Sequence, residues 1–278
     1  PLPNGPNFAL TSAAVNRAEF RQEILKIDHG FSDNWTAFYR FENDKIPTLD
    51  ANSLFSSGGN LPGVATTETN SPGKTHTLQT TYAINPNTIL EGRYAYAYGA
   101  ILSRNIGLLA LSNSTNPVAL PFENTRDRIT SVSGNGFGGL TSFGPYDNFS
   151  NKHSISTNLT FISGNHTMKF GGGYSKYRKN ENALVTDATG GNQGIFTTFG
   201  TTLPTGVTSN TLNQNLQRWA NFLVGNAATF VQGKFDYTAD FRQSNVEAYA
   251  EDQWRFRRDP THRDGGGRVG VKPLQLHA

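Results

Sequence analysis

The chain has no cysteine, one methionine and few charges: Asp, Glu, Lys and Arg make up 16% of its 278 residues, against about 25% in a typical globular protein. Without cysteine there is neither a disulfide framework nor a thiolate metal site, a lack compatible with an oxidising periplasm or cell surface. Mean hydropathy is −0.49. The longest strongly apolar runs, such as Ile106–Leu111, fall far short of the roughly 18 residues that a membrane helix needs. That excludes a helical membrane protein and leaves open a β-barrel, whose strands are apolar only at alternate positions. No leader is visible either. The chain opens PLPNG, without Met, basic segment or apolar core, which points to a cytoplasmic protein, a processed one or a fragment.

A real excess of one charge sign is also missing. The formal net charge is +3, but Arg257, Arg258, Arg263, Arg268 and Lys272 crowd the end, offset there only by Asp259 and Asp264. Without these residues nineteen cations face nineteen carboxylates. The basic signal belongs to the tail, and a nucleic-acid footprint is excluded.

Gly, Asn, Ser and Thr take the place of the charges, a mix that favours strands and turns over helical bundles. The strands show a rhythm. Lys152–Ile162 reaches His166–Tyr177 through Ser163-Gly164-Asn165; His76–Ala83 reaches Thr88–Tyr98 through residues 84–87; Ala18–Gly30 reaches Trp35–Glu42 through residues 31–34. A further strand is expected at Ser244–Phe256. Polar loops separate the hairpins: Asn43–Gly73, Gly99–Asn151 and Arg178–Gln243. Tight turns at one end and long loops at the other are the layout of an outer-membrane barrel. The last loop contains a helical spacing, Leu212, Leu216, Trp219 and Leu223 within Thr211–Val224, stopped by Gly225, and then a short strand over Ala228–Phe235.

Period-two alternation gives each strand one apolar and one polar face. Leu25 and Ile27 oppose Gln22, Lys26 and Asp28; Trp35, Ala37, Tyr39 and Phe41 oppose Thr36, Arg40 and Glu42. Leu90, Tyr94, Tyr96 and Tyr98 oppose Glu91 and Arg93; Ile155, Thr157, Leu159 and Phe161 oppose Ser154, Ser156, Asn158 and Thr160. Met168, Phe170, Gly172 and Tyr174 are set against Lys169 and Lys176. Ten residues tilted near 45° cover a membrane core of roughly 23–25 Å. Trp35, Tyr39, Tyr94, Tyr96, Tyr98, Tyr174, Tyr177 and Trp254 fit an interfacial aromatic girdle and equally fit cross-strand packing in a soluble sheet.

Catalytic and cofactor patterns fail on inspection. Gly73-Lys74-Thr75 mimics the end of a P-loop, but Glu68 stands where its first glycine belongs. The run Gly134–Gly139 matches a dinucleotide fingerprint only in glycine count and reads as a flexible loop. His29, His76, His153, His166, His262 and His277 show no metal-ligand spacing. Glu251 and Asp252 point to opposite faces of a strand and cannot work as a pair. Neither an enzyme nor a cofactor is expected.

Four segments in order resemble TonB-dependent receptors of the Oar-like type: Gln22–Lys45 (QEILKIDHGFSDNWTAFYRFENDK), His166–Asn182 (HTMKFGGGYSKYRKNEN), Arg218–Gly233 (RWANFLVGNAATFVQG) and Ala248–Phe256 (AYAEDQWRF). The resemblance implies an all-β chain, an antiparallel meander that is an open, incomplete part of a large transmembrane β-barrel of about 22 strands, with long extracellular loops and one short loop helix. It implies residence in the bacterial outer membrane and contact with outer-membrane lipid. It also implies transport of a bulky ligand energised by the TonB complex through a plug domain. Residues 1–256 are then partial barrel, and residues 257–278 a non-barrel tail, disordered or frame-shifted, because the family's next strand does not follow Phe256. Arg40, Glu91, Arg93 and Lys169 would line the lumen and touch ligand. Two other readings remain: a soluble secreted adhesin or carbohydrate-binding module, whose apolar face would need a second sheet, and a small porin-like barrel.

Overall fold

The computed structural model describes residues 3–4, 9–10, 15–51, 64–115, 118–136, 139–140, 144–182, 191–255 and 274–277. Seven long strands form its frame: β1 (Arg21–Ser32), β2 (Trp35–Lys45), β3 (Gly73–Asn85), β4 (Thr88–Asn105), β5 (Tyr146–Ser163), β6 (His166–Glu181) and β7 (Ala239–Trp254). Each pairs antiparallel with its neighbour in sequence, from β1 to β7. The meander is open, since β1 and β7 do not pair with each other. Of the stretch 257–278, only Leu274–His277 lies within the described residues. It adds a four-residue antiparallel strand to Asn245–Ala248 of β7.

The hairpins close through two residues each: Asp33-Asn34, Pro86-Asn87 and Gly164-Asn165. These turns are tighter than the sequence reading because the ladders run right up to them. At the other end the strands also run further than expected. β4 and β5 have 18 residues, β6 and β7 have 16. Arg17–Ala18, Pro47–Asp50 and Thr67–Asn70 carry the β1, β2 and β3 ladders on past short breaks, the last onto Leu102–Asn105 of β4. The long loops are shorter by that much. Alternation marks a strand only while its two faces meet different surroundings; beyond the apolar band the pattern fades while the backbone pairing continues.

Partners directly opposite in a sheet share a face, so the register sorts the side chains into rows. One row crosses all seven strands as Ile27, Tyr39, Leu78, Tyr94, Ile155, Tyr174 and Val246. The next row toward the turns starts at His29 and is otherwise small: Ala37, Thr80, Gly92, Thr157, Gly172 and Ala248. Beyond it come Trp35, Tyr82, Leu90, Leu159, Phe170 and Ala250. Toward the loops lies a belt of Leu25, Phe41, His76, Tyr96, His153 and Lys176. Lys176 is therefore on the apolar side, not beside Lys169 as the sequence reading had it; it stands two residues from Tyr174 and shares its parity. Tyr177, counted in the girdle, is on the polar face, opposite Lys152 and Gln243. On β5 the band runs from His153 to Phe161, about 20 Å of height at ~3.3 Å per residue and ~40° tilt, close to the apolar band of a barrel wall.

Rings tie the belt together. Tyr39 Oη and His76 Nδ1 are hydrogen-bonded at 2.7 Å, and Tyr94 Oη and His153 Nδ1 at 2.8 Å. Phe41, His76, Tyr96 and His153 follow one another at centroid separations of 4.9, 6.0 and 4.8 Å. This motif recurs on alternate strands, with a tyrosine answering a histidine on the next strand. It gives a polar handle to each amphipathic ring at the edge of an apolar zone.

Among the described residues nothing covers the apolar face: Ile27, Leu78 and Ile155 are each at least half exposed. The buried residues lie at the loop end instead, among them Ala65, Leu109, Val132, Ile195 and Phe199. There Ser131–Val132 runs parallel to Ile195–Phe199, which pairs antiparallel with Ala227–Val231. The helix α1 (Thr211–Leu223) forms where the spacing placed it. Asn210 caps it by accepting from the Asn213 amide at 2.8 Å, and Gly225 stops it with φ +72°, a conformation that favours glycine. Its leucines, however, face away from the core: Leu212, Leu216 and Leu223 are exposed. Phe222 makes the inward contact, edge-on to Phe199 at 5.6 Å.

Candidate ligand-binding surface

Two surfaces are candidates, the polar face of the sheet and the assembly at its loop end. Arg40, Glu91, Arg93 and Lys169 all fall on the polar face, each in a different row. Arg40 stands between Lys26 and Thr77, Arg93 between Gln79 and Ser156, Glu91 between Thr81 and Asn158, and Lys169 between Thr160 and Glu251. Arg40 pairs with Glu42 at 2.9 Å. Four strand spacings separate Arg40 from Lys169, roughly 19 Å at ~4.8 Å each. These residues paint a polar wall; they do not converge on one point. Tyr249 adds to it, lying across Gly171 and donating from Oη to Asn158 Oδ1 at 3.0 Å.

The loop end is built differently. Its three segments interlock through polar groups withdrawn from water. The Leu109 amide donates to Val64 O at 3.0 Å and the Ile106 amide to Thr66 O at 2.9 Å, joining the first loop to the second. Gln232 clamps the second to the third. It donates to Phe122 O at 2.9 Å and Asn192 O at 2.8 Å, and accepts from the Phe122 amide at 3.1 Å. Asn192 donates to Glu123 O at 2.7 Å and accepts from the Thr125 amide and hydroxyl. Asn192, Gln193 and Asn135 are essentially inaccessible, so this is a polar core, of the kind that specifies one arrangement when its bonds are met.

Two buried arginines sit at its centre. Arg126 donates through Nε to Asp236 Oδ1 at 3.0 Å and again through Nη2, bridging residues 110 apart in sequence. Arg128 donates to Gly144 O at 2.7 Å and to Ser131 Oγ at 3.1 Å. Burial, and secondly the charge of Arg126, pull its guanidinium down to about 9, so it stays charged at neutral pH. Asp127 points the other way and accepts from the Ser112 amide at 2.7 Å, fixing the turn Leu111–Asn113. Sequence reading missed this group. The available signal was the concentration of charge in Glu123–Arg128 within an almost uncharged loop.

The glycine run Gly134–Gly139, expected to be flexible, is packed where it is described. Gly136 has φ +91°, and a β-carbon there would lie 2.2 Å from the Asn215 carbonyl oxygen of α1. Glycine is needed because the loop backbone touches the helix backbone.

Together these contacts frame a partly open cavity of about 460 Å³, within the range of small-molecule sites. Ile129, Val132 and Leu140 of the second loop and Phe196, Phe199 and Phe222 of the third line it, with Ser114, Asn124 and Thr130 as polar groups. An apolar wall with a few polar groups holds and orients an apolar moiety through contact area.

A family model described as outer membrane beta barrel domain matches residues 1–261. No curated protein matches the chain. Among solved structures, the outer membrane transporter YddB from Escherichia coli is similar at a TM-score of 0.49 and 11% identity, over 86% of this chain and 26% of that one. The chain thus spans about a quarter of that transporter's length.

Proposed function

Since the chain belongs to the outer membrane beta barrel domain family, a β-barrel fold of the bacterial outer membrane, we propose that it forms part of the wall and surface loops of a TonB-dependent receptor of the Oar-like type. In this reading the polar face of β1–β7 lines the lumen, and Arg40, Glu91, Arg93 and Lys169 offer charge of both signs along the path. The folded loop assembly is the outer vestibule that first meets a bulky ligand, with its 460 Å³ cavity taking an apolar part of it. A plug domain in the lumen and the TonB complex of the inner membrane would supply gating and energy. The observation that carries the reading is the coupling of an uncovered apolar band to a folded, cavity-bearing cap at one end only. Such a cap offers a concave, partly apolar place for a ligand to dock before the lumen, which supports a receptor over an open pore.

The soluble adhesin reading requires a second sheet over Tyr39, Leu78, Tyr94 and Ile155; among the described residues none covers them, and Leu78, Tyr94 and Ile155 stay exposed while Tyr39 is half-buried. The small-porin reading requires closure, and β1 and β7 are unpaired with each other. The test is genetic and physical. The coding DNA around this chain is expected to specify a plug domain and further alternating strands. Fractionation of the full chain is expected to recover it with the outer membrane. A detergent-free, soluble monomer would overturn the wall, and a coding region without a plug would overturn TonB coupling.

A further inference from the structure

The apolar face carries a feature that transport leaves unused. At the loop-side border of its band, the rows on that face hold Arg21, Lys45, Lys74, Lys176, Arg178 and Arg242, against Glu23 and Asp240. At the same height the polar face is balanced, Lys152 and Lys179 against Glu42 and Asp44. At the turn-side border the row Thr88, Phe161, Met168 and Asp252 holds no cation. The excess positive charge is confined to one face and one end.

It is densest on β6 and β7. Arg178 and Arg242 stand directly opposite each other, with Lys176 one row below. Like charges so placed repel, and only Arg242 is drawn aside, to Asp240 and to Asn180 Oδ1 at 3.2 Å. Among the described residues Arg178 and Lys176 have no carboxylate partner. Below them the same face sinks into an open depression of about 510 Å³, floored by Gly92, Thr157 and Gly172 and walled by Tyr94, Ile155 and Tyr174. From Lys176 to Gly172 is four residues, ~13 Å along the strand.

We propose that Lys176, Arg178 and Arg242 form a site for the phosphate-bearing headgroup of an outer-leaflet lipid, whose acyl chain lies over Tyr174 and in the depression beneath. Guanidinium pairs suit phosphate oxygens through bidentate bonds. An anion between Arg178 and Arg242 also relieves their mutual repulsion. The site rests on the outer-membrane placement of the wall, with the loops at the cell surface, and not on the transported ligand or its energy source.

The test uses the full chain inserted in phosphatidylcholine vesicles containing lipid A or its dephosphorylated counterpart, with the glycolipid retained after detergent extraction measured by mass spectrometry. The wild-type chain is expected to retain the phosphorylated form selectively. The double variant Lys176→Gln/Arg178→Gln should lower that retention about tenfold or more, from the value of two cations near a charged surface. Arg178→Lys, which keeps the charge but loses the bidentate fork, should retain an intermediate amount, and Lys152→Gln/Lys179→Gln, which removes the same charge from the polar face, should change nothing. Equal retention of both glycolipids, or an equal fall in both double variants, would overturn the site. Displacement by inorganic phosphate at constant ionic strength would assign the cluster to a free anion and overturn the lipid. Failure to insert in any vesicle would remove the wall and the site together, whereas insertion without preference removes only the site.

Discussion

The wall and the cap of this protein are stabilised in opposite ways. Across their apolar band the described residues of β1–β7 bury no large apolar side chain; their buried apolar residues, Ala100, Tyr146 and Ala239, lie at the loop-side ends. Their ladders satisfy one another's backbone, and the band stays open for lipid to cover. The cap has its own interior, but much of it is polar: Arg126, Arg128, Asn135, Asn192 and Gln193 are all buried. A sheet in lipid gains nothing from hiding its apolar side chains from water a second time. A loop assembly in water, short of apolar residues, must hold its shape by meeting buried hydrogen bonds instead. The wall therefore tolerates exchange among apolar residues, while the cap depends on individual partners.

Four ranked substitutions, two of them with a companion variant, separate the two regions. The largest effect is expected from Arg126→Met, which leaves Asp236 without its buried partner and removes one of the ties between the two long loops. It should cost the cap about 3–5 kcal/mol, seen as rapid protease cutting of residues 191–238 while the wall stays protected. Next is Ile155→Lys, which puts a charge mid-band on the apolar face. It should destabilise the membrane-inserted wall by about 2–4 kcal/mol in vesicle unfolding experiments, and Ser156→Lys, one residue along on the polar face, should not. Equal effects would mean that the two faces are not lipid and lumen.

Gly136→Ala comes third. A left-handed backbone costs a β-carbon about 1–2 kcal/mol, and the Asn215 carbonyl would have to move. The expected result is a loosened cap, read as enhanced amide exchange in α1, with the strands unchanged. Tyr39→Phe should be the smallest, about 1 kcal/mol for one hydrogen bond to His76. A second loss of similar size from Tyr94→Phe would show that the two ring pairs act independently.

Legibility in the sequence followed the range of the forces involved. The hairpins, the two faces and α1 rest on contacts a few residues apart or on strict alternation, and they stand where the residues placed them. Lys176 was misplaced by a parity slip that the register corrects through His153 and Ser244. The extensions of β4–β7 were missed because alternation fades where both faces are wet. The cap was missed for a different reason: Arg126 meets Asp236 across 110 residues, and Phe122 meets Gln232 across the same separation. Composition identifies such segments as polar and glycine-rich, which describes an unstructured loop equally well.

The residues alone determined a strand-rich chain with one apolar and one polar face, joined by tight turns at a single end, because side-chain direction in a strand follows from counting by two. Only the tertiary structure decided that the long loops form one folded, cavity-bearing cap. It also decided that the cations at the band's upper edge face outward. Both depend on which distant segments meet, and on the register that brings Arg178 opposite Arg242.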